Sequence, residues 1–433
     1  MSDVIIIGAG ITGLSCAWRL KKLGIESSIL ESSNRVGGVI QSERSEGYLI
    51  EHGPNSLLPA AENFGLLDET GLTTEIIEAD GRAPRYICLN RELRKAPFEP
   101  MTVPGLLRAL AEPLIRSKSR QDESVHDFFV RRVGSEAHDR LVAPFVTGIY
   151  AGDTRKLSMA ATFPKLHEME RRHGSLIVGM LKAKKPKDAR RGHTCSFADG
   201  METLPRRLAR DANIIYNTGS ICVGPDFDVR WSSGKTRARA VVVTAPAYHV
   251  NGLIQRGFPD IAGLFGNVDY APMVIATTSI PESAFPRPLR GFGFLVPRTE
   301  NLHLLGTLFS SALFPGRAPQ GRHLLTSFIG GALEREAIDW PDNQVWEIVR
   351  SELQTVLKTT SPPEPIRLVR RQHAIPQYKI GHERWLASLK DKLRRTPGLF
   401  VTGNYTEGVA VASCMETGER TAHDVAAFLR SRS

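Results

Sequence analysis

The chain has 433 residues, of which 41% are hydrophobic and 24% are charged, and its formal net charge is +10. This length and composition predict a folded protein of two or three domains rather than a disordered chain. No run of about 18 apolar residues predicts a membrane-spanning helix. The five cysteines are scattered and lack C-x-x-C spacing, so neither a disulfide framework nor a metal site is expected. The start shows no secretory signal pattern, so a cytoplasmic location is expected.

Basic residues concentrate in the middle of the chain. Between Arg82 and Arg191 there are 23 Lys and Arg residues against 12 Asp and Glu residues, so this segment accounts for the net charge. Three partner classes attract such a segment: nucleic acid, an anionic membrane surface or an acidic small molecule. Because the segment lacks interleaved aromatic residues and any nucleic-acid-binding motif, no nucleic-acid partner is expected.

The N-terminus shows the pattern of a dinucleotide-binding turn. Residues 3–7 predict a buried strand, and Gly8, Gly10 and Gly13 follow it. In this spacing the first glycine permits a tight turn, the second lets the backbone approach a pyrophosphate, and the third lets the next helix pack closely. The helix predicted over residues 14–23 would point its N-terminus at the phosphates.

An acidic residue and a second glycine pair extend this unit. Glu31 ends the second predicted strand, near the spacing of an acid that binds a ribose hydroxyl, and it disfavours the 2′-phosphate of NADP. The run SSNRVGGVIQS follows and contains Arg35, Gly37 and Gly38. It resembles the second glycine-rich signature of glutathione reductase-like, amine oxidase-type flavoproteins. That resemblance implies FAD, with both glycines and Arg35 against the pyrophosphate from a second side.

The C-terminal stretch GLFVTGNYTEGVAVASCMETGERTAHDVAAFL predicts a strand, a glycine turn and a long helix. In flavoproteins of this type such a helix returns to the first domain and points its N-terminus at the flavin ring. A third piece, RARAVVVTAPAYHV, predicts a strand that ends at Thr244 and Ala245. Ile221 precedes it, where these flavoproteins pass backbone beside the adenine.

These pieces predict an α/β protein with a Rossmann-type FAD-binding domain of the glutathione reductase/amine oxidase type, a mixed-sheet substrate domain and an inserted helical domain. The predicted segments are 1–80, 196–255 and 396–433 for the FAD-binding domain, 81–195 for the basic helical domain, and 256–395 for the substrate domain.

The helical segment contains amphipathic patterns. PGLLRALAEPLIRS places Leu106, Leu107, Leu110 and Leu114 on one helix face with basic residues opposite. Two interpretations stay open. The helices pack this face internally, or the face stays exposed and, with the basic residues, contacts an anionic bilayer.

Several longer stretches point to one family. They are HGPNSLL (52–58), SVHDFFVRRVG (124–134), LVAPFVTGIYAGDTRKLSMAATFPKLHEME (141–170), GFGFLVP (291–297), LLGTLFSSALFPGRAP (304–319) and YTEGVAVASCMETG (405–418). Together they resemble the protoporphyrinogen/coproporphyrinogen oxidase family, nearly end to end.

The resemblance implies a function. It implies a FAD-dependent oxidase that removes six electrons from protoporphyrinogen IX to give protoporphyrin IX in heme biosynthesis, with O2 as acceptor and H2O2 as product. Coproporphyrinogen III, which carries four carboxylates instead of two, is the main alternative substrate. More distant alternatives are an amine oxidase, a carotenoid desaturase, or a FAD-binding structural or heme-trafficking protein.

The resemblance also assigns site residues. The expected substrate-binding residues are Arg85, Thr147, Gly148, Leu295, Leu308 and Phe328. The expected cofactor-binding residues are Gly8, Gly10, Ile11, Thr12, Gly13, Glu31, Ser32, Arg35, Gly37, Gly38, Gly53, Pro54, Asn55, Ser56, Ile221, Thr244, Ala245, Gly403, Gly408, Val409, Ala410 and Val411. Arg85 is expected to pair with a propionate, while Leu295, Leu308 and Phe328 sandwich the macrocycle. No general base and no metal ligand stand out.

The implied partners beyond the porphyrinogen and O2 are a ferrochelatase that receives the product and the cytoplasmic face of the inner membrane, contacted peripherally. The expected assembly is a monomer or a homodimer.

Overall fold

The computed structural model describes residues 2–115, 122–183 and 192–432. Over these ranges the chain forms two seven-stranded sheets and two small two-stranded sheets. No helix in the described ranges is both long enough and apolar enough to cross a membrane.

The first segment opens with a strand–turn–helix unit. Its elements are β1 (Ser2–Ile7), α1 (Ile11–Lys22), β2 (Ser27–Leu30), β3 (Ser42–Ser45), β4 (Tyr48–Glu51), α2 (Asn63–Glu69) and β5 (Ile76–Glu78). The first helix begins earlier than residue 14, because Gly10 has an extended conformation and acts as its N-cap. Gly13 therefore lies inside the first turn of α1.

The next segment contains two strands and a run of helices. Its elements are β6 (Arg85–Leu89), β7 (Glu92–Lys95), α3 (Val103–Leu110), α4 (Val125–Val133), α5 (Ser135–Ala137), α6 (Ala143–Tyr150), α7 (Met159–Thr162), α8 (Pro164–His173) and α9 (Leu176–Lys182). A π-helix over His138–Val142 joins α5 to α6.

The chain then returns to the first domain and builds the second sheet. The returning elements are β8 (Cys195–Phe197), α10 (Thr203–Ala209), β9 (Asn213–Ile215), β10 (Cys222–Val223), β11 (Asp228–Trp231), β12 (Gly234–Val243) and α11 (Ala247–Ile254). The later elements are α12 (Pro259–Ala262), β13 (Tyr270–Pro281), β14 (Gly293–Leu295), β15 (Leu304–Leu308), α13 (Ser310–Leu313), β16 (Arg322–Gly330), α14 (Asp342–Leu357), β17 (Glu364–Pro376), α15 (His382–Arg394), β18 (Leu399–Val401) and α16 (Val411–Arg430).

The first sheet is assembled from three distant parts of the chain. Strands β9, β2, β1, β12 and β18 run parallel in that order, and β10 and β11 extend the sheet through the first half of β12. Helices cover both faces, so residues 4–7 of β1 and 240–243 of β12 are almost fully buried. Because helices bury both faces of the sheet, these parts of both strands have continuous apolar sequences rather than alternating ones.

Helices α1 and α16 follow β1 and β18, so both begin at the carboxyl edge of the parallel strands. They pack so closely that a Cβ on Gly418 would lie 2.3 Å from the Thr12 carbonyl oxygen. A glycine at this crossing therefore fixes how the two helix N-termini are placed relative to each other.

The second sheet has the order β17-β13-β16-β15-β14-β6-β7. One face packs against α14 through Val345, Val349 and Leu353. The sequence pattern assigns residues 85–95 to the helical segment, whereas the structure places them here, because Arg85–Ile87 pair with Gly293–Leu295. The boundary of the helical segment therefore lies after β7.

Substituting Gly418 tests the α1–α16 crossing. Gly418→Val should lower the free energy of unfolding by about 1–3 kcal/mol or more, because the new atoms collide with backbone. Gly252→Ala is the matched control, since a Cβ there meets no heavy atom within 4 Å; it should be neutral or stabilise α11 by up to about 1 kcal/mol. Denaturant titrations of both variants measure the difference, and equal effects would contradict the assignment.

Candidate active site

The turn between β1 and α1 combines crowded positions with an open one. Gly8 has a φ of +106°, and a Cβ on Gly13 would lie 2.1 Å from the Gly8 carbonyl oxygen. A Cβ on Gly10, in contrast, would meet no heavy atom within 4 Å. Gly10 therefore borders open space, beside the first-turn amides of Ile11 and Thr12, which have no intrahelical partners.

Neighbouring strands hold this turn in place. Thr244, which follows β12, donates from Oγ1 to the Gly8 carbonyl oxygen at 3.0 Å, and Ala245 beside it is buried. Glu31, which follows β2, accepts a hydrogen bond of 2.8 Å from the Ala9 amide. The carboxylate thus lies directly beside the glycine turn, as its spacing predicts.

Ser33 holds the Glu31 carboxylate, whereas the predicted residues nearby, Ser32 and Ile221, contact it weakly or belong to the core. Its second carboxylate oxygen accepts from the Ser33 amide at 2.8 Å and from Ser33 Oγ at 2.7 Å. Ser32 Oγ lies farther away, at 3.4 Å. Ile221 is buried in the core that also contains Leu30, so its side chain supports the sheet edge.

The second glycine pair lies against the first turn. Gly37 forms a bridge with Gly10, and Gly37 and Gly38 have φ values of +98° and +59°. The guanidinium of Arg35 donates to three backbone carbonyl groups of the same loop, including Gly38 at 2.5 Å. Arg35 therefore shapes the loop whose glycines border the open space.

The stretch Gly53–Ser56 packs against this loop. A Cβ on Gly53 would lie 2.2 Å from the Val39 carbonyl oxygen. Asn55 Nδ2 donates to the Gly53 carbonyl oxygen at 3.1 Å, while Pro54 and Ser56 are half-buried. The four predicted residues thus line the same side of the site.

The C-terminal stretch supplies a second helix N-terminus. Ala410 is the N-cap of α16 and has no side-chain cap, which leaves the first amides of the helix without a side-chain acceptor. Val411 is buried, Val409 is half-buried, and Gly403 packs closely on Tyr405. The partial positive charge of this end favours an anionic ligand or an electron-rich ring.

A buried tyrosine orders the loop before α16. Tyr378 OH donates to the Asn404 carbonyl oxygen at 2.6 Å and accepts from the Gly408 amide at 2.8 Å. Burial raises the pKa of Tyr378 well above its usual value, so the phenol stays protonated. His382 stacks on it at 4.2 Å between ring centroids, and burial lowers the pKa of His382 to about 4.

The predicted substrate residues share one face of the second sheet. Residues paired directly across strands point to the same side, as do residues two apart along a strand. The rows are Ile87–Leu295–Gly306–Phe328 and Arg85–Gly293–Leu308–Thr326. Leu295, Leu308 and Phe328 remain partly accessible on this face, while the opposite face packs against α14.

Helix α6 approaches this face. A Cβ on Gly148 would lie 2.9 Å from Leu295 Cδ2, so the two predicted residues are in contact. Thr147 is buried and its hydroxyl donates to the Ala143 carbonyl oxygen at 2.8 Å. The structure therefore brings Gly148 to the sheet face and uses the Thr147 hydroxyl within the helix.

Arg85 lies at the accessible edge of the same face. Its guanidinium packs over the Phe292 ring at 4.8 Å from the centroid. Arg85 is exposed, and within the described ranges its guanidinium forms no ion pair. A cation held flat on an aromatic ring, with its donors free, is suited to a carboxylate.

Other residues of the region escaped the sequence analysis. Tyr248 stacks on His373 at 4.4 Å, and Tyr270 contacts both rings. Arg371 lies two residues before His373 on β17. No local pattern marks these residues, because only the pairing of β17 with β13 brings them beside α11.

Comparison with known proteins agrees with this geometry. The family model for flavin-containing amine oxidoreductases matches residues 11–426. The chain is 33% identical to the chloroplastic protoporphyrinogen oxidase of Nicotiana tabacum, over 99% of this chain and 86% of the relative. It is 30% identical to the coproporphyrinogen III oxidase of Bacillus subtilis (strain 168), over the full length of both chains.

The chain belongs to the flavin-containing amine oxidoreductase family.

Solved structures also share this fold. A crystal structure from Exiguobacterium sp. 255-15, provisionally named a protoporphyrinogen oxidase, superposes with a TM-score of 0.80 at 21% identity and covers 98% of both chains. A variant of putrescine oxidase superposes with a TM-score of 0.75 at 16% identity and covers 98% of this chain and 99% of that chain. At such identities the likeness establishes the fold alone.

The cofactor of the family is FAD, and the residues present fit it. Gly8, Gly13, Gly37 and Gly53 occupy crowded or left-handed positions that disfavour a side chain, while the space beside Gly10 stays open. Two helix N-termini without side-chain caps begin at the same edge of the sheet. This arrangement suits the diphosphate and the flavin of FAD.

A substitution at Gly10 separates cofactor binding from folding. Gly10→Val should give a folded but colourless protein, because Gly10 has a negative φ and its Cβ would enter the open space without touching protein atoms. The measurements are the flavin absorbance per chain and the far-UV circular dichroism spectrum. A yellow variant with a full flavin complement would contradict this location of the diphosphate.

Proposed function

We propose that this family member oxidises a porphyrinogen to the corresponding porphyrin in heme biosynthesis, with protoporphyrinogen IX as the main substrate, O2 as the acceptor and H2O2 as the product. One observation carries the proposal. An apolar sheet face rimmed by an unpaired arginine lies in a chain that also has a complete FAD cradle. The substrate names of the two groups of relatives support the same chemistry.

The residues of the sheet face suit a broad apolar disc with carboxylates at its edge. Leu295, Leu308 and Phe328 offer apolar contact over neighbouring strands, which positions such a ring and excludes water. Gly148 keeps the facing helix free of a side chain where it meets Leu295. Arg85 is the carboxylate partner at the rim, because its planar guanidinium matches a carboxylate in two hydrogen bonds.

When bound, FAD supplies the acceptor of the electron pairs. Tyr378 and Cys414, which lie at this end of α16, contribute position and polarity and stay protonated. Tyr378 keeps its proton and orders the backbone before α16. Burial raises the pKa of the Cys414 thiol to about 11, so this first-turn side chain of α16 stays neutral. Because Tyr378 and Cys414 carry no negative charge, neither side chain offsets the positive end of α16, which can stabilise negative charge.

Wild-type protein should convert protoporphyrinogen IX to a fluorescent porphyrin with production of H2O2, and should produce no H2O2 from amines. Arg85→Leu should raise KM for the porphyrinogen about tenfold and leave the flavin content unchanged, because one charge-assisted contact is lost. Arg230→Leu is the control, since Arg230 is an exposed arginine of β11 in the other sheet. An unchanged KM for Arg85→Leu would remove Arg85 from the pocket.

We also propose a peripheral contact with the cytoplasmic face of an anionic membrane, made by α3. Its apolar residues Val103, Leu107 and Leu110, with Leu114 after it, are between 59% and 79% exposed. Arg108 turns inward instead and donates to the Arg131 and Arg132 carbonyl oxygens at 2.8 and 3.0 Å. This arrangement differs from the internally packed alternative, because the apolar face lies outward; an outward apolar helix face suits burial in a membrane interface.

A vesicle assay tests this contact. The double variant Leu107→Asp/Leu110→Asp should lose co-sedimentation with vesicles that contain phosphatidylglycerol, because it places two charges on the apolar face. Its flavin content should stay unchanged. Leu333→Asp, at an exposed apolar residue after β16, is the control and should keep binding. Equal binding by the double variant and wild type would refute the α3 contact.

A further inference from the structure

Arg371 has an unusual lack of partners for a half-buried cation. Its Nε atom is buried without a hydrogen-bond acceptor. Its only direct hydrogen bond within the described ranges is a long one, 3.4 Å from Nη2 to the His52 carbonyl oxygen. Burying an uncompensated charge is unfavourable, so a partner from outside the chain would stabilise this position.

The register places Arg371 on the face that carries the predicted substrate residues. Arg371 pairs with Met273, and Val369, two residues earlier, pairs with Ile275. Ile275 in turn pairs with Phe328 on the other side of β13. Because paired residues share a face and alternate residues repeat it, Arg371 points to the same side as Phe328.

A second cation lies at the same seam between the sheet and the FAD-binding domain. Burial and, to a smaller extent, the nearby charge of Arg35 lower the pKa of Arg371. The guanidinium of Arg35 bonds only to backbone carbonyl groups in the described structure. Because no described carboxylate pairs with either guanidinium group, the two create a local field that attracts an oxyanion.

We propose that Arg371, with Arg35 beside it, forms an oxyanion-binding site at this seam. The proposal rests on the proposed function and deepens it. Two sources offer the required chemistry: a diphosphate oxygen of FAD, or a substrate carboxylate at the end of the sheet opposite Arg85.

The strands that carry Arg85 and Arg371, β6 and β17, are five strand spacings apart, about 24 Å. Two long arginine side chains reaching inward could therefore engage opposite edges of one macrocycle only if it carries carboxylates on both edges, as coproporphyrinogen III does.

The test compares Arg371→Met with Arg367→Met. Arg367 lies on the same strand and the same face, but it is paired with Glu43. Holoenzymes of both variants and wild type are titrated with coproporphyrin III and with protoporphyrin IX by fluorescence quenching, and the rate of FAD release is measured on dilution. Arg371→Lys serves as the conservative rescue.

If a substrate carboxylate binds here, Arg371→Met should weaken coproporphyrin III about tenfold or more, leave protoporphyrin IX unchanged and be partly rescued by lysine. If the FAD diphosphate binds here, Arg371→Met should release FAD about tenfold faster with both porphyrins affected equally. Arg367→Met should match wild type in each assay.

Equal behaviour of Arg371→Met and wild type would overturn the site. A loss shared by the two methionine variants together with a lower thermal midpoint would overturn it as well, since it would indicate a structural role. The proposed function fails separately, if wild-type protein neither binds nor oxidises the porphyrinogens. The rate of FAD release still tests the oxyanion site in that case.

Discussion

The close contact between Gly418 and the Thr12 carbonyl oxygen sets the geometry on which the site depends. Helices α1 and α16 both begin at one edge of the parallel sheet because they follow β1 and β18, and they can approach each other closely because Gly418 brings no side chain to their crossing. Their first amides then contribute positive partial charge to the same region. A larger spacing would leave two separate helix ends, each able to bind an anion but unable to hold an extended dinucleotide together.

Packing also determines which face of the second sheet is available to a substrate. Its back is fixed to α14, so the other face is free to meet the FAD-binding domain. Gly306 and Gly148 have no side chain, so the Leu295 side chain packs directly against both glycines. Arg371 lies on the edge strand β17, and Arg85 lies near the other end of the sheet, on β6 beside β7; neither arginine pairs with a described carboxylate. An apolar centre with cations at its rim is the complement of a flat ring that carries acids at its edge.

The helical segment uses its charges in two different ways. Arg132 is fully buried and forms ion pairs with Glu112 and Glu170, both of which are also buried. This cluster ties α4 to the turns around it, while the inward Arg108 leaves the apolar side of α3 facing outward. The many basic residues of the segment therefore do not all lie on its surface, since Arg132 and Arg108 form internal ion pairs or hydrogen bonds.

Much of the cofactor side follows from the sequence. Spacing alone places Gly8, Gly10, Gly13 and Glu31 around one turn, because a strand, a tight turn and a helix are local structures with local signals. The family model confirms the flavoprotein assignment that the second glycine pair suggests. The individual binding roles of these residues stay predictions, and the sequence pattern alone does not show that Arg35 bonds to its own loop or that Ser33 contacts Glu31.

The substrate side was decided by the tertiary structure. Strand pairing between residues far apart in the chain moves residues 85–95 into the second sheet, and only that pairing sets which side chains share a face. Arg371 and Tyr248 come together for the same reason. The sequence shows that α3 is amphipathic, but it does not show whether the apolar face points into the protein or outward. A hydrophobic period specifies that one face differs from the other, whereas the rest of the fold determines which face is covered.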